Sequence, residues 1–273
     1  MLKRLLTISG IAIVLVLATV GYMLFRTPAA ASGPITAIPI APTSAVVEAR
    51  ATTASTSAAA ELENTAEPTA ESENTAAPAA DAEPEVTVAE SAASTRLIFE
   101  IVPGRSQARF LIDEVLRGTP TTVVGATDQV AGQIAVDPSD PQSAQVGTIQ
   151  VNARTLATDN GLRNRAIQNA ILRTDSFEFI TFTPTAITGL PEAVTIGEPI
   201  SFQITGDLTI VGTTQSVTFD VTVTPLSETE LTGTASATVL YRDFGLFIPD
   251  SPQVDTVADE VRLELEFVAA TVA

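Results

Sequence analysis

Read for its hydrophobic and polar positions, the chain falls into three stretches of different pattern. Residues 5 to 25 are almost uniformly apolar, residues 27 to 95 show no apolar period, and from Leu97 onward hydrophobic residues recur at every second position. Leu97, Phe99 and Ile101 open this last series. Ala108, Phe110 and Ile112 continue it, followed by Val130, Gly132, Ile134 and Val136, and by Ile149 and Val151. Phe202, Ile204, Leu208 and Ile210 come next, then Val217, Phe219, Val221 and Val223, and last Val261, Leu263, Leu265 and Phe267. Period two over many short runs predicts antiparallel strands with one buried and one wet face. Pro103-Gly104, Asp137-Pro138, Gly189-Leu190-Pro191, Gly197-Glu198-Pro199 and Gly212 punctuate the runs as turns. Evenly spaced strands of this kind form a sandwich or a barrel.

One segment breaks the period. Between Asp159 and Arg173, the residues Leu162, Ala166, Ile167, Ala170 and Ile171 share a helical face, with Asp159 or Asn160 as N-cap. A single helix over about 160–172 is expected there. Another run is unusual in size. Leu231, Gly233, Ala235, Ala237 and Val239 share a strand face, opposite Thr232, Thr234, Ser236 and Thr238. If the first set points inward, its small side chains either leave a cavity or make room for neighbouring phenylalanines. An eight-stranded barrel is about the size that holds one ligand, so both readings stay open.

Lys3 and Arg4 precede the apolar stretch. As a helix, Ile8 to Phe25 would be about 27 Å long, close to the hydrocarbon thickness of a bilayer. The positive flank predicts an inside N-terminus with the rest of the chain outside the cytoplasm, periplasmic or at the cell surface. Residues 1–26 are thus either a single-pass anchor or a signal peptide, cleaved near Ala29-Ala30-Ala31, that releases a secreted domain. Residues 27–95 hold ten acidic residues and one basic residue, and Glu63 to Pro68 nearly repeats at Glu73 to Pro78. This is Ala/Thr/Glu/Pro-rich spacer, expected to be disordered. As a flexible chain it spans roughly 45 Å root-mean-square. The folded domain is expected over 96–273.

Charge and composition then remove several functions. The chain has no cysteine and no histidine, and 14 basic against 32 acidic residues give a net charge of −18. Thiolate metal sites, disulfides and cysteine nucleophiles are excluded, and a serine nucleophile lacks its usual base. So acidic a chain repels phosphate backbones, which argues against nucleic-acid binding. Asp113-Glu114 and Asp259-Glu260 lack the spacing of a calcium loop. No metal site, cofactor or catalytic residue is expected. Arg105, Arg109 and Arg117 near the first hairpin, and Arg163, Arg165 and Arg173 around the helix, either pair with carboxylates or meet an anionic head group.

Several segments resemble one family. Ile101-Val102-Pro103-Gly104-Arg105-Ser106-Gln107-Ala108-Arg109-Phe110 is similar to the first hairpin of the YceI-like family, lipocalin-like barrels associated with polyisoprenoid binding. Val130 to Ile134, Thr155 to Asp159 leading into Leu162 to Arg165, and Phe177 to Phe182 continue the likeness. The most specific element is Gly206 to Phe219, paired strands around a glycine turn; Arg242-Asp243-Phe244-Gly245 and Asp259 to Leu263 complete it. Arg105 stands where many members carry a histidine. The resemblance implies an all-β, eight-stranded antiparallel lipocalin-like barrel interrupted by the one helix. It also implies non-catalytic binding or carriage of an isoprenoid-type or other long-chain lipid, a polyprenyl compound or quinone, near the membrane. The alternative is a surface-displayed interaction module with a filled barrel. The expected cavity lining is Phe110, Ile112, Ile134, Val151, Phe182, Ile204, Leu208, Phe219, Val221, Gly233, Ala235, Ala237, Leu263 and Leu265, with Arg105, Arg163 and Arg165 as head-group contacts.

Overall fold

The architecture follows from how twelve strands join. The computed structural model describes Tyr22, residues 26–40 and residues 96–272; the apolar N-terminal stretch, the Glu63–Pro78 repeat and the rest of 41–95 lie outside the described residues. Strands β1 (Leu97–Ile101) and β2 (Gln107–Leu116) follow one another along the same edge of β12 (Val254–Thr271), where Ile101 faces Ala269 and Gln107 faces Glu266. Strand β3 (Thr119–Thr127) runs back along β2, and β4 (Val130–Ala131) and β5 (Gln133–Asp137) carry that line past β1. Strands β6 (Asp140–Val146) and β7 (Ile149–Asn152) return along β5 and β4. Then β8 (Phe179–Thr188) pairs with β7, and β9 (Ile200–Ile210), β10 (Thr213–Pro225), β11 (Glu230–Leu240) and β12 each pair with the strand before.

The twelve segments therefore merge into eight barrel strands: β1–β2, β3–β5, β6–β7 and then β8 to β12 singly. Each is hydrogen-bonded on both sides, so the sheet closes on itself as an up-and-down antiparallel barrel. Closure removes exposed sheet edges. The reversal between β9 and β10 takes two residues, Val211 (φ 52°) and Gly212 (φ 77°), both left-handed, as a tight twisted hairpin requires. A branched Val is disfavoured there, but its side chain is buried in the adjoining core cluster. Alternation of direction puts the β2–β3, β7–β8, β9–β10 and β11–β12 connections at one end of the barrel. That end carries the helix.

The helical insertion runs as α1 (Gly161–Ala166) and continues in a wider π-helical turn, Ile167–Ile171. Asn160 is the cap, its Oδ1 accepting the N–H groups of Leu162 and Arg163 at 2.9 and 3.1 Å. The wide turn buries Asn169, whose Nδ2 donates to the Arg26 carbonyl at 2.9 Å. Ile167 packs into the core, whereas Leu162, expected on the same face, stays exposed at the barrel end. Among the described residues no helix is long and apolar enough to cross a membrane.

The spacer pattern assigns residues 27–40 to a disordered tether, and here the structure differs. Residues 26–40 form a strap against the outside of the barrel. Arg26 pairs with Asp175, the Ala29 N–H donates to Asp175, Ser32 bonds Glu178 through both its N–H and its hydroxyl, and the Ile40 N–H donates to Gln133 at 2.8 Å. Ile35 is buried. Backbone bonds to fixed side chains, with one apolar plug, hold a segment that has no period to betray it. Two core clusters support the wall. One gathers Leu156, Ile167, Leu172, Leu208, Ile210 and Phe244 at the helix end, the other Phe99, Ile101, Val130, Leu231 and Phe267.

Candidate functional site

Between the two clusters lies a cavity of about 840 Å³ that runs through the barrel. Glu114, Leu116, Leu162, Arg163, Tyr241 and Phe247 border it at the helix end; Val136, Pro141, Ile187, Leu190, Ile200 and Pro225 border it at the other. The space falls within the range of small-molecule sites. Its presence answers the question left open by the small-residue strand: the barrel is hollow.

The sequence-derived lining divides accordingly. The structure places Phe110, Ile112, Ile134, Val151, Phe182, Ile204, Leu208, Phe219, Val221, Ala235, Leu263 and Leu265 on the cavity wall. Gly233 and Ala237 are not there. A Cβ on Gly233 would stand 2.6 Å from Phe267 Cζ, so the Phe267 ring covers this position and meets the cavity in its place. Ala237 faces Leu263 across the β11–β12 ladder, and the larger side chain takes the wall. Gly125 beneath Phe110 and Gly206 beneath Phe182 repeat the arrangement of Gly233. The glycines thus seat rings, and the rings shape the tunnel. Phe182 and Phe219 meet edge to face, centroids 4.9 Å apart.

The three arginines expected at a head group separate too. Arg163 lies at the cavity, with Nη2 3.0 Å from Glu114 Oε1 and Nη1 2.7 Å from Asp159 Oδ1. Arg105 points away from the cavity and pairs with Glu230 at 2.9 Å; that contact raises its pKa and lowers that of Glu230 below the usual carboxylate range. Arg165 is exposed on the outer side of the helix, off the cavity wall. The reason is geometric: helical residues two apart face different directions.

Glu114 is the residue that sequence reasoning missed. It is 8 % exposed and faces inward, while its neighbour Asp113 faces outward and accepts from Thr122 Oγ1 at 2.6 Å. The signal was there: Phe110, Ile112 and Glu114 share one strand face. The site is therefore an apolar tunnel with a half-buried ion pair at its helix-end mouth, where Asn160, Tyr241, Ser251 and Gln253 add polar groups. Such a lining suits a molecule with a long apolar body and one polar end.

A second polar cluster sits outside the wall. Arg154 lies 2.8 Å from Glu178, and its guanidinium also donates to the carbonyls of Thr174, Ala30 and Asp175 at 2.9, 3.0 and 3.2 Å. Burial pushes the Glu178 carboxyl up, but the Ser32 hydroxyl and N–H, Asn152 and Arg154 together hold it below its ordinary value.

Residues 99–269 match the sequence profile of the YceI-like domain. No curated protein matches the chain. Among solved structures, a polyisoprenoid binding domain from Saccharophagus degradans, implicated in plant cell wall breakdown, superposes with a TM-score of 0.53 at 12 % identity, covering 64 % of this chain and 99 % of that one. BcnA of Burkholderia cenocepacia gives 0.49 at 20 % identity over 62 % and 99 %. A Campylobacter jejuni YCEI protein gives 0.44 at 18 % over 55 % and 84 %. At 12 % identity the likeness to the Saccharophagus degradans domain is one of fold.

Proposed function

The chain belongs to the YceI-like family, and from that premise we propose that its barrel binds an isoprenoid-type lipid, such as a polyprenyl compound or a quinone, without catalysing a reaction. One observation carries the reading: the cavity wall is apolar over most of its length, and its polar lining gathers at the helix-end mouth, apart from the Arg109–Glu264 pair at mid-wall. The relative from Saccharophagus degradans, named as a polyisoprenoid binding domain, supports it. Desolvation of the apolar chain supplies the drive, about 0.8 kcal/mol per buried CH₂ before the ligand's ordering entropy is subtracted. The reading places the domain outside the cytoplasm, held by residues 1–26 as an anchor.

Purified full-length protein, extracted with organic solvent and analysed by mass spectrometry, should release a prenyl lipid in near-stoichiometric amount. Protein that yields no lipid, and takes none up from polyprenyl mixtures, contradicts the proposal. Ala235→Phe sharpens the test, because the new ring projects from β11 into the tunnel. It should lower affinity by about 2 kcal/mol, roughly 30-fold, while the thermal melt stays near wild type. Unchanged binding would show that the lipid does not use this wall.

A further inference from the structure

The helix end of the barrel has a surface unlike the rest. Phe247 and Leu162, 69 % and 65 % exposed, are the most exposed large hydrophobic residues of the barrel, and both border the cavity mouth. Arg117, in the β2–β3 turn, and Arg165 and Arg173, at the helix, are exposed there too and form no ion pair among the described residues. In a chain of net charge −18, three arginines without a carboxylate partner among the described residues at one end of the barrel, one of them stacked over Phe177 at 5.1 Å, are not background. The carboxylates nearby are partly engaged: Asp159 with Arg163, Asp175 with Arg26, and Asp255 with the Gly118 N–H at 2.7 Å. Asp243, Asp250, Asp259 (paired with Arg242 at 2.7 Å) and Glu114 (paired with Arg163) are further acids at this end.

The strap supplies the independent observation. The apolar stretch of the sequence ends at Phe25, and Arg26, the next residue, is fixed to this same end by its ion pair with Asp175 and by the Asn169 side chain on its carbonyl. The residue that follows the apolar stretch is therefore held at the helix end of the barrel, not at the far end of a spacer of some 45 Å.

We propose that the helix-end rim is a membrane-contact face. Phe247 and Leu162 enter the boundary between head groups and acyl chains, Arg117, Arg165 and Arg173 meet lipid phosphates, and the tunnel opens onto the bilayer surface. Exchange of an apolar ligand then needs no passage through water. The inference rests on the anchor reading given above; it does not depend on which lipid the tunnel holds.

The chain contains no tryptophan, so a single introduced one reports its own surroundings. Full-length Leu162→Trp and Phe247→Trp are compared with Ile196→Trp and Leu226→Trp, exposed positions in the loops of the opposite end. Each is reconstituted into vesicles of phosphatidylcholine with a minor share of phosphatidylglycerol, the acyl chains carrying bromine as quencher. The two rim tryptophans should be quenched about twofold or more and the other two left unchanged, since interfacial apolar groups bury roughly 5–10 Å deep. Arg117→Glu, Arg165→Glu and Arg173→Glu combined should reduce the quenching at position 247. Protein that does not float with the vesicles overturns the anchor and the face together. Protein that floats, with rim tryptophans quenched no more than those at 196 and 226, overturns the face alone.

Discussion

Two arginine–glutamate pairs of the same chemistry sit in opposite surroundings. Arg154 and Glu178 lie on the outside of the barrel wall, closed over by the strap; Arg163 and Glu114 lie on the inside, at the mouth of the tunnel. All three guanidinium nitrogens of Arg154 donate to protein, and both carboxylate oxygens of Glu178 accept. Of Glu114, only Oε1 is engaged among the described residues. A charge pair whose nitrogens and carboxylate oxygens are all engaged within the fold fixes structure. One that retains free bonding capacity beside an apolar tunnel can meet the polar end of a ligand. The contrast separates scaffold from site where residue type alone does not.

The contrast is sharpest in stability. Arg154→Ala strips donors from three carbonyls and leaves Glu178 half-buried without its counter-charge. Unfolding should become easier by about 2–4 kcal/mol, read from chemical denaturation, with the strap released to protease. Lipid recovered from the protein that remains folded should match wild type in kind. A variant that melts like wild type would mean that the strap and its ion pair do not hold the barrel wall.

Glu114→Gln moves the other member of the comparison, and the effect should shift from stability to selectivity. The amide keeps a hydrogen bond to Arg163, so stability should fall by no more than about 1 kcal/mol. Arg163 is left with Asp159 as its only carboxylate partner, and the mouth loses a negative charge. Lipids with an anionic head should gain over neutral ones by about 1 kcal/mol, roughly fivefold, in competitive loading read by mass spectrometry. Equal loading in both proteins would place the head group elsewhere.

What the sequence made legible follows the same division. Alternation announced the strands because half-buried antiparallel strands must alternate; it left sandwich or barrel open, and the eight-stranded barrel came from the family resemblance, while the helix near 160–172 came from the break in the period. Twelve of the fourteen proposed lining residues reach the cavity because inward parity is a local property. Gly233 and Ala237 failed for a non-local reason, since the side chain that covers each comes from β12. Gly125, Gly206 and Gly233 all look like cavity makers until the ring that fills each place is known. Glu114 was legible by parity with Phe110 and Ile112, yet its acidity drew it into a pair with Asp113 that the strand divides between two faces. The strap was not legible. Ser32, Ala29 and Ile40 dock through backbone N–H groups, which leave no trace in a hydrophobic pattern.

The smallest effect tests whether the outer cluster is held by charge. The Glu178 carboxyl titrates below its ordinary value near 4.3 because the Ser32 hydroxyl and N–H, Asn152 and Arg154 favour its ionised form, against the opposing effect of burial. In the unfolded chain those partners are gone. A group whose pKa is lower when folded adds stability that is complete above the unfolded value and disappears as pH falls through the folded one. Glu178→Gln removes the titration and keeps most of the shape. The melting temperature of wild type should exceed that of Glu178→Gln at neutral pH, and the gap should narrow steadily once pH drops below about 4.5. A gap that stays constant into acid would show that hydrogen bonding alone, without the carboxylate charge, holds the strap to the barrel.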